Sequence, residues 1–147
     1  MATQLKIGFL GAGKMAAALA SGFLNARLVT AKQLFAADPF DAARKQFAAA
    51  TGAKTVATNL AVAQAANVLI LATKPDQVAA ALAEISGAFT GKHLLISIAA
   101  GVTIHKLENG LPANVRVIRV MPNTPALAGA GASGYALGRH ATAADGE

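Results

Sequence analysis

The chain has 147 residues, 54% hydrophobic and 14% charged, which is one domain's worth of sequence with the apolar content to bury a core and excludes intrinsic disorder. There is no cysteine, so disulfides, thiolate metal ligands and a cysteine nucleophile are excluded, and the cytoplasm is the expected compartment. The net charge of +6 is spread over single cations, Arg44-Lys45 being the only adjacent pair, and aromatics make up 5%, so no nucleic-acid surface and no membrane span are expected.

In chain order, the apolar run Lys6–Leu10 reads as a strand and Lys14–Asn25 as a helix. Between them Gly11-Ala12-Gly13-Lys14-Met15-Ala16 fits G-x-G-x-x-A. Gly11 permits the sharp strand-to-helix turn. Gly13 lacks a Cβ, so a pyrophosphate can approach the backbone. Ala16 lets the helix pack closely on the strand. The helix's first amides lack intrahelical partners, and its dipole favours an anion there. A phosphate loop is a competing reading, because Gly8, Gly13 and Lys14 match most of G-x4-G-K-[ST]. It fails on Met15, which stands where a hydroxyl is needed, and on Gly8, which belongs to the strand. A signal peptide fails because Gly11, Gly13 and Lys14 interrupt its apolar core.

Further strands are expected at Leu34–Ala37, Lys54–Val56, Val68–Ala72, Leu94–Ser97 and Val115–Val120, with helices at Asp41–Ala50, Asn59–Ala66, Gln77–Ile85 and Ile104–Glu108. The runs at Val68–Leu71 and Leu94–Ile96 are continuously apolar, as in strands covered on both faces. Strand–helix alternation with such strands specifies an α/β fold: a doubly wound, Rossmann-type, predominantly parallel sheet in three αβα layers, with ligands at its C-terminal edge. After Val120, prolines and glycines replace the pattern, leaving a loop, a short strand at Ser133–Leu137 and a polar tail from Ala141.

Several residues at that edge are candidates for a site. Asp38 ends the second strand, slightly beyond the usual spacing of about 20 residues from the glycine turn. Its carboxylate suits a ribose 2′-hydroxyl and repels a 2′-phosphate, or else it serves the Asp-Pro turn and caps the helix with Asp41. Arg44, in the next helix, is placed to lean toward a phosphate instead. Ala72-Thr73-Lys74-Pro75 follows the fourth strand, with Lys74 either facing an anion or serving as an ordinary loop lysine. Ser97-Ile98-Ala99-Ala100-Gly101 ends the fifth with small residues, which either leave room for a ligand or pack a tight turn. Met121-Pro122-Asn123-Thr124-Pro125-Ala126 is a proline-stiffened loop that either presents polar groups to a ligand or merely connects. His93, His105 and His140 lack metal-ligand spacing and read as surface or capping residues, so no metal is expected. With no nucleophile presented, a cofactor must supply the chemistry.

Taken together, Gly8–Met15, Ala72–Pro75, Ser97–Thr103 and Val117–Ala126 resemble the N-terminal half of pyrroline-5-carboxylate reductase, a resemblance that runs from Lys6 to about Gly138. It implies reduction of an imine, 1-pyrroline-5-carboxylate, to L-proline with hydride from NADPH or NADH. It also implies pyrophosphate contacts at Leu10, Gly11, Ala12, Gly13, Lys14 and Met15, and an adenosine-side contact at Asn59. By the same resemblance Ala72, Thr73, Lys74 and Pro75, with Ile98, Ala99 and Ala100, flank the ribose and nicotinamide, while Lys74, Met121, Asn123 and Thr124 lie near the reacting ring. No residue is assigned a catalytic role. Family members often carry a small hydroxyl where Asp38 stands, which leaves NADP versus NAD open. The family's helical C-terminal domain, which forms its homo-oligomer and much of the substrate pocket, has no counterpart here. Residues 1–147 are therefore expected to be a dinucleotide-binding domain that is weakly active or inactive alone. The alternatives are a non-catalytic dinucleotide-binding module and a related imine or keto-acid dehydrogenase.

Overall fold

The computed structural model describes residues 4–122 and 132–147. Among the described residues, seven strands form one sheet: β1 (Ile7–Leu10), β2 (Leu34–Ala37), β3 (Lys54–Val56), β4 (Val68–Leu71), β5 (Leu94–Ser97), β6 (Arg116–Met121) and β7 (Gly134–Leu137). The α-helices described between them are α1 (Lys14–Asn25), α2 (Asp41–Thr51), α3 (Asn59–Ala65), α4 (Val78–Ile85) and α5 (Ile104–Asn109). The strand order is β3-β2-β1-β4-β5-β6-β7, parallel throughout except for the antiparallel β6–β7 pair. The Rossmann-type expectation holds, and strand boundaries fall within one residue of those read from the sequence.

Alternation along the strands divides the core in two. Ile7 and Phe9 of β1, Ile70 of β4, Phe47 of α2 and Ala16 and Ala20 of α1 form one cluster. Leu10, Leu69, Leu71, Leu95 and Val117 form the other with Val62 of α3, Leu82 and Ile85 of α4 and Leu107 of α5. Each fully buried leucine or phenylalanine contributes about 1.5–3 kcal/mol. Small residues set the spacing between layers. Ala16 is buried in the cluster with Ile7 and Phe9 of β1, and a Cβ built on Gly8 would stand 2.3 Å from Val62 Cγ1. Gly8 is thus a strand residue packed under α3, which excludes the phosphate-loop reading structurally.

The polar tail carries structure that the sequence leaves open. Ala143–Gly146 forms a 3₁₀ turn with a capping box between Thr142 and Asp145. Asp145 also accepts from the Arg116 guanidinium of β6. Among the described residues, no helix is long and apolar enough to cross a membrane.

Candidate functional site

The strand order reverses between β1 and β4, so the connections leave in opposite directions and open a crevice at their C-terminal ends. A cleft of about 500 Å³ occupies that position. Gly11 and Gly13 form its floor after β1, Asp38 and Phe40 reach it from the end of β2, and Asn59 from the start of α3. Ala72, Thr73 and Lys74 enter after β4, and Gln77 and Glu84 line it from the α4 side.

The two glycines have different jobs. Gly11 takes φ +100°, and a Cβ there would stand 2.8 Å from the Ala72 carbonyl oxygen, so the turn itself requires glycine. Gly13 is the N-cap of α1 in extended conformation, with no side-chain cap and no acid in the first turn of the helix. A Cβ on Gly13 meets nothing within 4 Å, so it would project into open space at the mouth of the helix. The first amides of α1 therefore face outward without intrahelical partners, at the positive end of the helix dipole. The Thr73 hydroxyl is buried beside this floor with no hydrogen-bond partner. Uncapped amides, an open approach over Gly13 and an unpaired hydroxyl fit a ligand carrying phosphates.

Asp38 is clamped. Its Oδ2 accepts from the Ala12 amide at 3.1 Å and its Oδ1 from the Phe40 amide at 2.9 Å. It thus makes the Asx turn that opens α2 and also lines the cleft, so the two sequence readings of this residue are compatible. Arg44 does not lean toward the cleft. Its Nη1 donates to the carbonyls of Asp38 (2.7 Å) and Pro39 (3.1 Å), and its Nη2 pairs with Asp41 at 3.3 Å. Lys45 lies 2.7 Å from Asp41, and this hydrogen bond and charge, with Arg44 beside it, hold the Asp41 carboxyl below its ordinary range. Across the cleft, Glu84 accepts from the Asn59 side chain (3.0 Å) and the Leu60 amide (3.2 Å).

Of the residues expected to contact cofactor, the cleft brings together Gly11, Gly13, Asp38, Asn59, Ala72, Thr73 and Lys74. Leu10 is fully buried in the core, which leaves only its backbone for any ligand, and Ala12 is buried with its amide given to Asp38. Lys14 and Met15 lie in the first turn of α1 outside the lining, and Pro75 opens the 3₁₀ turn before α4. Ile98, Ala99 and Ala100 do not line this cleft. Ser97 is fully buried and accepts from the Ala99 amide at 3.3 Å, and Gly101 takes φ +70°, which is the tight-turn arrangement. Asn123 and Thr124 lie outside the described residues. Met121 is 40% exposed at the end of β6 and borders a second cleft with Arg119 and Tyr135.

Sequence reasoning missed Phe40, Gln77 and Glu84. Phe40 is an apolar side chain 69% exposed at the cleft, a signal visible only once the fold places it there. His93 is structural: its Nδ1 accepts from the Thr90 amide and its Nε2 donates to the Ala63 carbonyl, both at 2.9 Å. His105 and His140 border a smaller cleft of about 200 Å³ with Glu108 and Arg139.

Comparison with known proteins follows the same lines. The family model described as "NADP oxidoreductase coenzyme F420-dependent" matches residues 6–101, from β1 through the turn after β5. The chain is 42% identical over 135 residues to pyrroline-5-carboxylate reductase 3 of Macaca fascicularis, covering 92% of this chain and 49% of that protein. Among solved structures it resembles the Plasmodium falciparum pyrroline carboxylate reductase with NADP bound, at 31% identity and a TM-score of 0.84, covering 97% of this chain and 52% of that one. The Coxiella burnetii pyrroline-5-carboxylate reductase superposes with a TM-score of 0.90 at 29% identity, covering 98% and 53%. The chain spans about half the length of the relatives it matches. With the family model covering the whole β1–β5 unit and its glycine turn, the chain belongs to the NADP oxidoreductase, coenzyme F420-dependent family.

Proposed function

We propose that this chain is the dinucleotide-binding domain of an imine reductase that converts 1-pyrroline-5-carboxylate to L-proline, a step of proline biosynthesis. The observation that carries the reading is the cleft at the β1/β4 reversal, floored by Gly11 and Gly13 and flanked by the unpaired Thr73 hydroxyl. In this reading the amides of Gly13, Lys14 and Met15 hold the pyrophosphate, and Asp38 and Asn59 hold the adenosine side. Ala72 to Pro75 flank the ribose and nicotinamide, and the turn Ile98 to Ala100, outside the cleft itself, bounds the nicotinamide side. When bound, the reduced nicotinamide supplies hydride to the imine carbon while a proton goes to the nitrogen, leaving a secondary amine and oxidised cofactor. The chain's own contribution is to bind, orient and exclude water, which needs no nucleophile.

The likeness to reductases twice as long supports a second, helical half that completes the imine pocket and the oligomer. Residues 1–147 then keep dinucleotide affinity but turn over weakly or not at all alone. The scattered cations support a small-molecule partner rather than nucleic acid or membrane, and a cytoplasmic location belongs to the same reading. The test is NADPH or NADH oxidation in the presence of the imine, with this chain alone and after fusion to the helical half of a relative. The proposal expects dinucleotide binding by both and turnover restored by the fusion. Binding without turnover in the fused protein would instead favour a non-catalytic module.

A further inference from the structure

We infer that Asp38 makes this cleft select a dinucleotide with a free adenosine 2′-hydroxyl, NADH, over its 2′-phosphorylated counterpart. The inference rests on the dinucleotide reading above and runs against the NADP in the family description and in the Plasmodium structure.

Asp38 follows β2 directly, beside the glycine turn, where the second strand of a doubly wound sheet meets the adenosine ribose. Its carboxylate is fixed by the Ala12 amide on one oxygen and the Phe40 amide on the other. The Ala12 bond ties the carboxylate to the glycine turn itself, so it cannot swing aside without breaking two backbone contacts. Each oxygen retains acceptor capacity, since a carboxylate has about four lone-pair sites. A ribose hydroxyl can donate to it, whereas a phosphate can only repel it.

A 2′-phosphate needs a cation, and an arginine near the end of the second strand is the usual device. Arg44 is that arginine by sequence, but its guanidinium is spent on the Asp38 and Pro39 carbonyls and on Asp41. Its side chain is only 21% exposed. The described residues lining the cleft carry two carboxylates, Asp38 and Glu84, against one cation, Lys74. Lys74 follows β4, on the opposite side of the glycine turn from β2. Freeing Arg44 would cost its two carbonyl bonds and still leave Asp38 in place.

The experiment is calorimetric titration of the purified chain with NADH and NADPH, repeated on Asp38→Asn. A carboxylate within a few ångströms of a phosphate, in a partly exposed site, predicts NADH binding at least about tenfold tighter. Asp38→Asn keeps an acceptor for the backbone but removes the charge, and brings the ratio toward one. Competition by 5′-AMP against 2′,5′-ADP on the unmodified chain gives the same comparison without relying on a variant. NADPH binding as tightly as NADH, or a ratio unchanged in a folded Asp38→Asn, overturns the inference while leaving the dinucleotide reading intact. Failure of a folded chain to bind either dinucleotide overturns both.

Discussion

The two flanks of the sheet are built differently. From β3 to β4 the strands are parallel and layered on both sides, Phe9, Leu10, Leu34 and Leu71 being fully buried. The cleft there is walled by backbone and by side chains fixed through backbone bonds: Gly11 against Ala72, Asp38 clamped by two amides, Glu84 holding the start of α3. At the other flank β7 is antiparallel and exposed at all four positions, with Tyr135 59% and Leu137 39% accessible. Polar ties, Arg116 to Asp145 and the Arg139 amide to Glu108, hold the chain after it. The first flank gets its geometry from the core. The second rests on the β6–β7 ladder and on polar ties, of which the Arg116–Asp145 pair weakens in acid.

Substitutions at the two glycines break this comparison most sharply. Gly11→Ala places a Cβ against the Ala72 carbonyl at positive φ, and we expect a loss of about 3 kcal/mol in denaturant unfolding. Gly13→Ala should leave unfolding within about 0.5 kcal/mol of the parent. It should nevertheless weaken dinucleotide binding at least about tenfold in calorimetry, because its methyl group occupies the approach to the α1 amides. Equal destabilisation by the two would mean that Gly13 is also a structural requirement.

On the other flank, Arg116→Ala removes the partner of a carboxylate whose side chain is 9% exposed, and a loss of about 1 kcal/mol is expected. Burial pushes the Asp145 carboxyl up, but the Thr142 amide and hydroxyl and the Arg116 charge outweigh it and hold it below the usual range. A depressed folded value means that this stabilisation is complete above the unfolded carboxylate range, about pH 4, and fades as pH falls through the folded value. Stability of the parent and of Arg116→Ala, followed by thermal melts from pH 7 downward, should therefore converge in acid. A gap independent of pH would show that Arg116 acts through packing and its bond to the Lys92 carbonyl rather than through Asp145. The smallest effect is expected at Thr73→Val, which removes the unpaired buried hydroxyl. Unfolding should be unchanged or stabilised by up to about 1 kcal/mol, while dinucleotide affinity falls. A destabilised variant would mean that the hydroxyl already has a partner, such as water.

The same contrast explains what the sequence made legible. Continuous apolar runs such as Val68–Leu71 mark strands buried on both faces, so the parallel flank and its glycine turn could be located to a residue. Glu84 could not. It lies in an alanine-rich helix with no local signal, and only the crossover that lays α4 beside the start of α3 brings it to Asn59. Spacing alone leaves Arg44 free to meet a phosphate, whereas the structure gives its guanidinium to two carbonyls set by the Asp-Pro turn and to Asp41. The Arg116–Asp145 pair joins a strand to a tail that composition shows only to be polar.

The central claim is that the Gly11–Gly13 cleft is where a dinucleotide sits. The most direct measurement is amide chemical-shift mapping of the labelled chain during titration with NADH. The account predicts the largest shifts at Gly13, Lys14, Met15, Asp38 and Thr73, with little change at His105, Arg139 and His140. Shifts concentrated at the His105–Arg139 cleft, or none at saturating dinucleotide, would contradict it.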